Sequence, residues 1–281
     1  MKNNLTKIKS IITKEDIEYF GILPLYDAPL RYTPDNFPRN GSVIVILLPY
    51  LKENSYGGNI SVYAAVEDYH IITQKKLEKI CNKTDELFDK NNHKIYCDNS
   101  PFDEKKLAQK AGLGIIGKNN LLINEKYGSY VFIAEIVTNI IIEPYIQQHK
   151  MTPCKGSCCI DACPTGALSE NGYNKEKCLS YISQKTGELT QKEKNLLIKN
   201  NTIWGCDICQ KVCPKNKNIK LLQNKIFSNE IINNLSYDEL SAMSEQEFNE
   251  KYKNRAWSWR GKSVILRNLH LLMDGITEPN Q

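Results

Sequence analysis

Cys154-Lys-Gly-Ser-Cys158-Cys159-Ile-Asp-Ala-Cys163-Pro164 and, further on, Cys206-Asp-Ile-Cys209-Gln-Lys-Val-Cys213-Pro214 are the stretches on which the reading of this chain turns. Both end in a cysteine followed directly by proline, and Cys178 lies between them. Eight of the ten cysteines thus fall between positions 154 and 213, with Cys81 and Cys97 outside. Ten cysteines in 281 residues are too few for a disulfide scaffold. The N-terminus, MKNNLTKIKSIITKEDIEYF, interrupts its apolar residues with charge and has no hydrophobic segment before a small-residue cleavage site, so it does not read as a signal peptide. A cytoplasmic location is expected, and clustered thiols in a reducing compartment point to metal rather than to disulfides.

The spacing narrows the choice of metal. Two-cluster ferredoxins carry C-x2-C-x2-C-x3-C-P, in which the cysteine before proline reaches the opposite cluster. A short loop wraps three thiolates around one cubane, and the chain then turns into a helix that delivers the last thiolate to the neighbour. Eight thiolates supply two [4Fe–4S] clusters with four each. Applied here, Cys154, Cys158, Cys159 and Cys213 hold one cluster, and Cys163, Cys178, Cys206 and Cys209 hold the other. The first run departs from the pattern, because Cys158 and Cys159 are adjacent where two residues normally intervene. Two tetrahedral zinc sites are the alternative that closely spaced cysteines also allow. Cys81, on a helical face, and Cys97, at a strand end, read as small buried hydrophobes.

Outward from the cysteines, residues 1–146 read as an α/β domain, 147–217 as a segment with too few apolar residues to fold without its metal, and 218–281 as a polar, helical tail. In the first part Ser42–Tyr50 is a strand-sized apolar run and Val66–Lys90 a helical stretch, with Tyr69, Ile72, Leu77, Ile80, Leu87 and Phe88 on one face. Lys94–Cys97 reads as a strand, Asp103–Ala111 as a helix stopped by Gly112, and Leu121–Asn124 and Ser129–Thr138 as strands joined across a turn containing Gly128. No apolar run is long enough to span a membrane. The charge, 37 basic against 32 acidic residues for a net of +5, permits nucleic-acid contact without demanding it.

Gly112-Leu-Gly114-Ile-Ile-Gly117 matches G-x-G-x-x-G, but it follows a helix and precedes a strand, the reverse of a dinucleotide site. Three glycines still permit close approach of backbone to a partner such as a flat cofactor. Asp98, at the end of a short strand, reads on its own as an Asx-turn before Asn99-Ser100-Pro101, and His70 as an ordinary helix histidine.

Taken together, these residues resemble the epoxyqueuosine reductase family. The resemblance runs through Leu30-Arg-Tyr-Thr-Pro34, Asp68-Tyr-His70, Asp98 with Ala111-Gly-Leu-Gly114, Gly117-Lys-Asn119, Gly128-Ser-Tyr130 and Glu135-Ile-Val-Thr138. It continues in Asp161-Ala-Cys-Pro-Thr-Gly-Ala-Leu168, Cys178-Leu-Ser180, Gly205-Cys-Asp207 and Ser258-Trp-Arg-Gly-Lys262. It implies a cobalamin-binding α/β (α+β) reductase domain, a ferredoxin-like module with two [4Fe–4S] clusters, and a short helical C-terminal tail in a form lacking the family's helical-repeat domain. It implies reduction of epoxyqueuosine to queuosine in the anticodon region of tRNA, with electrons from an external donor and the oxygen lost as water. Asp98 stands where the family has its proton donor. Arg31, Ser61, Leu122 and Ile133 align with cobalamin contacts, Ser61 in a place where a cysteine is expected. Lys185, Arg260 and Lys262 are implied on the substrate side, and a monomer without membrane attachment is expected. A ferredoxin-like electron carrier, and a corrinoid-dependent reductase of a small molecule, are the alternatives.

Overall fold

In a computed structural model of the chain, all residues are described except 1, 36, 39, 89–91, 223–225, 229 and 278–281. The apolar run at 42–50 forms the centre of a four-stranded sheet. Strands β1 (Tyr19–Pro24), β2 (Ser42–Pro49), β3 (His93–Tyr96), β4 (Ile115–Ile116), β5 (Leu122–Ile123) and β6 (Val131–Thr138) follow in chain order, and the large sheet has the order β1-β2-β6-β3. Every pairing in it is antiparallel, which places the domain on the α+β side of the expectation. All eight residues of β2 are buried. That happens because both faces of the sheet are covered: Ile44, Ile46 and Leu48 point into one core, and Val43, Val45 and Leu47 into a second.

On the first face lie helices α1 (Lys2–Lys14) and α3 (Tyr69–Asp85), with the short α2 (Val62–Ala65) preceding α3. Helix α3 starts where the Asp68 carboxylate accepts the His70 backbone N–H at 2.9 Å, and it buries Tyr69, Thr73, Leu77, Ile80, Cys81 and Thr84. The single helical stretch expected over Val66–Lys90 is therefore shorter at both ends; Leu87 lies beyond the helix and is exposed, and positions 89 and 90 lie outside the described residues. On the second face, α4 (Glu104–Lys110), capped by Asp103, packs Leu107 and Ala108 onto Val43, Val45 and Val137. Strand β5 pairs with β4 rather than with β6, so the expected hairpin across Gly128 is replaced by one tight bridge between Asn124 and Gly128.

The C-terminal stretch is not an appended tail. Phe227, Leu235, Leu240, Phe248, Tyr252, Trp257, Ile265 and Leu269 join the same core as Ile8, Ile46 and Leu77. Arg255, buried, donates to the carbonyls of Ala65 at 3.2 Å and Glu230 at 3.3 Å and pairs with the Glu230 carboxylate. Among the described residues, no helix is long and apolar enough to cross a membrane.

Candidate functional site

Where β3 ends, the backbone of Asp98 takes the left-handed conformation, φ 67°, which costs an L-residue roughly 1–2 kcal/mol. Its surroundings hold it there. The backbone N–H of Asp98 donates to Glu104 Oε1 at 3.1 Å, at the first turn of α4. From α3, the Tyr69 hydroxyl donates to Asp98 Oδ2, and His70 Nε2 lies 3.4 Å from the same oxygen. The other ring nitrogen of His70 faces Asp68 Oδ1 at 2.8 Å. Tyr69 is fixed by stacking on Phe132 of β6, with ring centres 4.1 Å apart and planes 8° from parallel.

These contacts set the charges. The bond to Asp68, then that to Asp98, raises the His70 pKa to about 9, so the imidazole is a cation at neutral pH. Burial pushes the Asp98 carboxyl up, but the bonds from His70 and Tyr69 together outweigh burial and hold it below the ordinary aspartate range. Asp98 is therefore an ionised carboxylate with a protonated imidazole beside it. Two further carboxyls stand behind it. Burial, and then the charge of Asp98, raises Glu104 to about 7. Glu135, in the middle of β6 and wholly buried, is pushed well up by burial and then by Glu104.

Asp98, Glu104, Leu122 and Ile133 line a small cavity of about 150 Å³. Through Lys105, Leu121, Ser129, Val131 and Phe132 it shares walls with a larger cavity of about 350 Å³. One side of the larger cavity is the sheet domain, with Tyr50, Tyr63, Asn119 and Phe132. The other side carries Cys163, Cys178, Cys206 and Cys209. The eight clustered cysteines fall into two neighbourhoods. Cys159 feels the charge of Cys158 and Cys213, and Cys213 that of Cys154 and Cys158; Cys206 feels Cys178 and Cys163, and Cys209 feels Cys206, Cys178, Cys163 and, from the other neighbourhood, Cys159. Two short helices bring them together, α5 (Cys158–Asp161) and, later in the chain, Ile208–Lys211. Among the described residues, no three His, Cys, Asp or Glu side chains close around a single-ion position.

Polar contacts tie the cysteine loops to the sheet domain. Asp207, between Cys206 and Cys209 in sequence, accepts from Ser61 Oγ at 2.5 Å and from the Val62 N–H at 2.8 Å. Gln210 accepts from Ser129 Oγ at 2.9 Å, which in turn accepts from Asn216 at 2.8 Å. Ser61 is thereby buried in the joint between the two parts and is not among the residues lining the large cavity. The glycines of the 112–117 motif are likewise used by the protein itself. A Cβ on Gly112 would lie 2.0 Å from the Gln147 carbonyl oxygen, and one on Gly114 2.2 Å from that of Ile123. It is the residues that follow, Asn119–Leu121, that reach the cavity.

Arg31 is exposed, with its guanidinium 3.6 Å from Asp103, and its backbone N–H donates to Pro101 in the loop after Asp98. Adjoining the larger cavity through Tyr173 and Ser180, a depression of about 530 Å³ is lined by Tyr173, Lys175, Tyr181, Lys185, Trp259 and Arg260. Arg260 lies over the Trp259 ring at 3.8 Å, and Lys185 pairs with Glu193. Lys262 is elsewhere: it is buried, and its amine donates to the Met243 carbonyl, which corrects its expected place on the substrate side.

Comparison with known proteins gives this geometry its context. Residues 153–216 match the family described as the 4Fe-4S double cluster binding domain, so the module carries a double [4Fe–4S] site in place of the zinc alternative. Residues 31–99 match the family described as epoxyqueuosine reductase QueG, DUF1730. The epoxyqueuosine reductase of Bacillus subtilis is 33% identical over 282 residues, an alignment covering 94% of this chain and 70% of the relative. The chain belongs to the epoxyqueuosine reductase family. The family member from Lactococcus garvieae is 37% identical over 211 residues, 72% of this chain and 58% of that protein, so the chain spans little more than half of that relative's length. A solved structure of the B. subtilis epoxyqueuosine reductase, in which a catalytic aspartate loop is swung out of the active site, superposes with a TM-score of 0.81 at 26% identity, over 97% of this chain and 82% of that one. An epoxyqueuosine reductase solved with an epoxyqueuosine-modified tRNA stem loop gives the same TM-score and coverage.

Within this family frame, the sequence reading singles out Asp98 but misses two carboxyls beside it. Glu104 hides in the run Asp103-Glu-Lys-Lys106, which looks like a solvated helix start. Glu135 left a detectable signal: it is a carboxylate inside SYVFIAEIVT, at a position whose alternation faces the apolar layer under α4.

Proposed function

We propose that this chain reduces epoxyqueuosine in tRNA to queuosine, using cobalamin held between residues 1–146 and the cysteine module 147–217, with 218–281 completing the core. The observation that carries this reading is the ionised Asp98, with Tyr69 and cationic His70, on a small cavity that shares walls with a larger one lined by four cluster-type cysteines. We assign Cys154, Cys158, Cys159 and Cys213 to one [4Fe–4S] cluster and Cys163, Cys178, Cys206 and Cys209 to the other, following the two neighbourhoods of thiols.

The residues present suit a corrinoid. The large cavity has aromatic and apolar walls, and the Nδ2 of Asn119, buried without a hydrogen-bond partner among the described residues, could donate to an amide on the rim of the ring. Leu122, Ile133 and Arg31 would border it on the Asp98 side, while Ser61 acts only as support through Asp207. When bound, the clusters supply electrons singly and the corrinoid supplies a reduced metal for breaking the carbon–oxygen bonds.

The protein's own part is proton delivery and orientation. Loss of an epoxide oxygen as water breaks two carbon–oxygen bonds, forms one carbon–carbon double bond, and consumes two electrons and two protons. Asp98 passes protons to the departing oxygen; His70, 3.4 Å away and charged, reloads it, and the Tyr69 hydroxyl aims the carboxylate. The exposed Trp259–Arg260 pair and Lys185 would receive unpaired nucleotides of the tRNA, by stacking and phosphate contact.

The test is single-turnover conversion of epoxyqueuosine-containing tRNA by anaerobic, cluster-loaded protein with cobalamin, read by mass spectrometry of the digested RNA. Asp98→Asn should fold, keep its iron and bind cobalamin, yet convert roughly 10²–10⁴-fold more slowly. Undiminished conversion would return Asp98 to a turn-forming role. Corrinoid binding without any conversion by the parent protein would favour a small-molecule substrate, and no corrinoid binding an electron carrier.

A further inference from the structure

Reduction of an epoxide to an alkene puts two protons on one oxygen, whereas Asp98 can carry one at a time and His70 holds one. Asp98 has to be loaded twice, and the cavity that it lines has one other acid among its lining residues, Glu104. Behind Glu104 stands Glu135. Its backbone is locked in the centre of the sheet, paired with Val45 on one side and Tyr96 on the other, and its side chain is directed into the layer under α4. There it is 0% exposed, and neither carboxylate oxygen makes a hydrogen bond of ordinary geometry among the described residues.

A carboxylate as buried and unpartnered as Glu135 cannot stay ionised alongside Glu104 and Asp98 without cations to match. The cations acting on Glu104 are Arg31 and Lys105, and both are engaged elsewhere: Arg31 on Asp103 at 3.6 Å, and Lys105 on the Asn120 carbonyl at 3.0 Å. The remaining groups facing the pair are Tyr96, Cys97 and Ser100, which bring no positive charge. Asp98 already has His70 as its counter-ion. The missing charge must be neutralised by a proton.

We infer that Glu104 and Glu135 hold one proton between them and return it to Asp98, supplying the second of the two protons that the departing oxygen needs. This rests on the reading given under Proposed function. The bookkeeping is complete: the first proton comes from His70 through Asp98, the second from the Glu104–Glu135 pair through Asp98, and solvent restores both afterwards. Burial explains why the proton is kept, since it raises both acids, Glu104 to about 7. Glu104 and Glu135 are positioning residues for that proton and do not themselves meet the substrate.

Two measurements test this. In cluster-loaded protein without corrinoid, infrared spectroscopy at neutral pH should show a protonated-carboxyl carbonyl band, which Glu135→Gln removes and Glu104→Gln shifts. Its absence at neutral pH overturns the inference. In single-turnover conversion, the rate should fall by about tenfold per pH unit above the point at which the pair gives up its shared proton, a point that burial raises above the ordinary carboxyl range. Glu104→Gln, which still accepts the Asp98 N–H, should be slower and lose that slope. A Glu104→Gln enzyme keeping the parent's pH profile overturns the inference, since a merely structural role would leave the profile in place. If Glu135→Gln does not fold, Glu104→Gln alone carries both arms. If the parent protein converts no tRNA while the carboxyl band is present, the functional reading has failed and the relay, lacking a reaction, fails with it.

Discussion

Between Cys154 and Cys213 the chemistry is held by thiols a few residues apart, on loops with little core of their own. The carboxyl site instead draws Tyr69 and His70 from one helix, Asp98 from a turn, Glu104 from a second helix and Glu135 from a central strand. The first region is specified by local spacing and completed by its metal; the second is specified by the sheet that brings distant segments together. Damage should follow the same division. A substitution among the thiols should remove a cluster and leave the sheet, and one in the long-range core should loosen everything at once.

The sharpest test on the local side is a single thiol. Cys206→Ala should lower bound iron from about eight atoms per chain to about four, as expected for two four-iron centres, and abolish conversion. Cys213→Ala should do the same through the other cluster. Cys81→Ala, on the buried face of α3, should leave the iron unchanged. Iron and sulfide analysis of anaerobic protein decides it, and loss of all iron from either variant would mean that the two sites are not independent.

Long-range packing gives the next largest effect. Trp257 is 0% exposed against Phe248 and Tyr252, while Trp259, two residues on, is 61% exposed. Trp257→Ala should cost roughly 3–5 kcal/mol of stability in denaturant unfolding, and Trp259→Ala less than about 0.5 kcal/mol. Equal losses would mean that the C-terminal stretch is not part of the core.

A pH test probes the carboxyl site directly. His70 is raised from 6.5 to about 9, so its stabilising charge is fully present below pH 6.5 and is lost as the pH rises through about 9. Thermal unfolding should show that loss across this window, and His70→Gln should remove it. A window left in place by the variant would assign the titration to another group.

How much of this was legible in the sequence follows from the same contrast. The two cysteine runs are local, and their double-cluster character was readable as they stand. Strand β2 was readable because eight consecutive buried residues leave a continuous apolar run. Helix α1 and strand β1 went unread, since KNNLTKIKSIITK mixes its apolar face with lysines and asparagines and YFGILP is short. The order β1-β2-β6-β3 depends on pairings such as Tyr19 with Leu47 and Tyr96 with Glu135, which no local pattern encodes. The tail read as polar because its apolar residues are spread among charges, and only the fold shows that they converge on one core. The ionisation of Asp98 was beyond reach for the same reason: it is decided by Tyr69 and His70, some thirty residues earlier in the chain.

The smallest effect concerns the proposed RNA side, where the sequence offered Arg260 and Lys262 as equals and the structure separates them. Arg260 is exposed on the ring of Trp259, beside Lys185 in the depression next to the cysteines. An arginine held over an aromatic face keeps its outer N–H groups for a phosphate. Arg260→Ala should therefore weaken tRNA binding a few-fold and reduce the salt slope of the affinity by about one phosphate contact, with stability unchanged. Lys262→Ala leaves the half-buried Met243 carbonyl without its donor, so it should lower stability by about 1 kcal/mol and leave the salt slope alone. Titration of labelled tRNA stem loop at several salt concentrations, paired with denaturant unfolding of both variants, separates the two roles. A lowered salt slope for Lys262→Ala, with stability intact, would put the lysine back on the RNA surface and show that the tail opens when RNA binds.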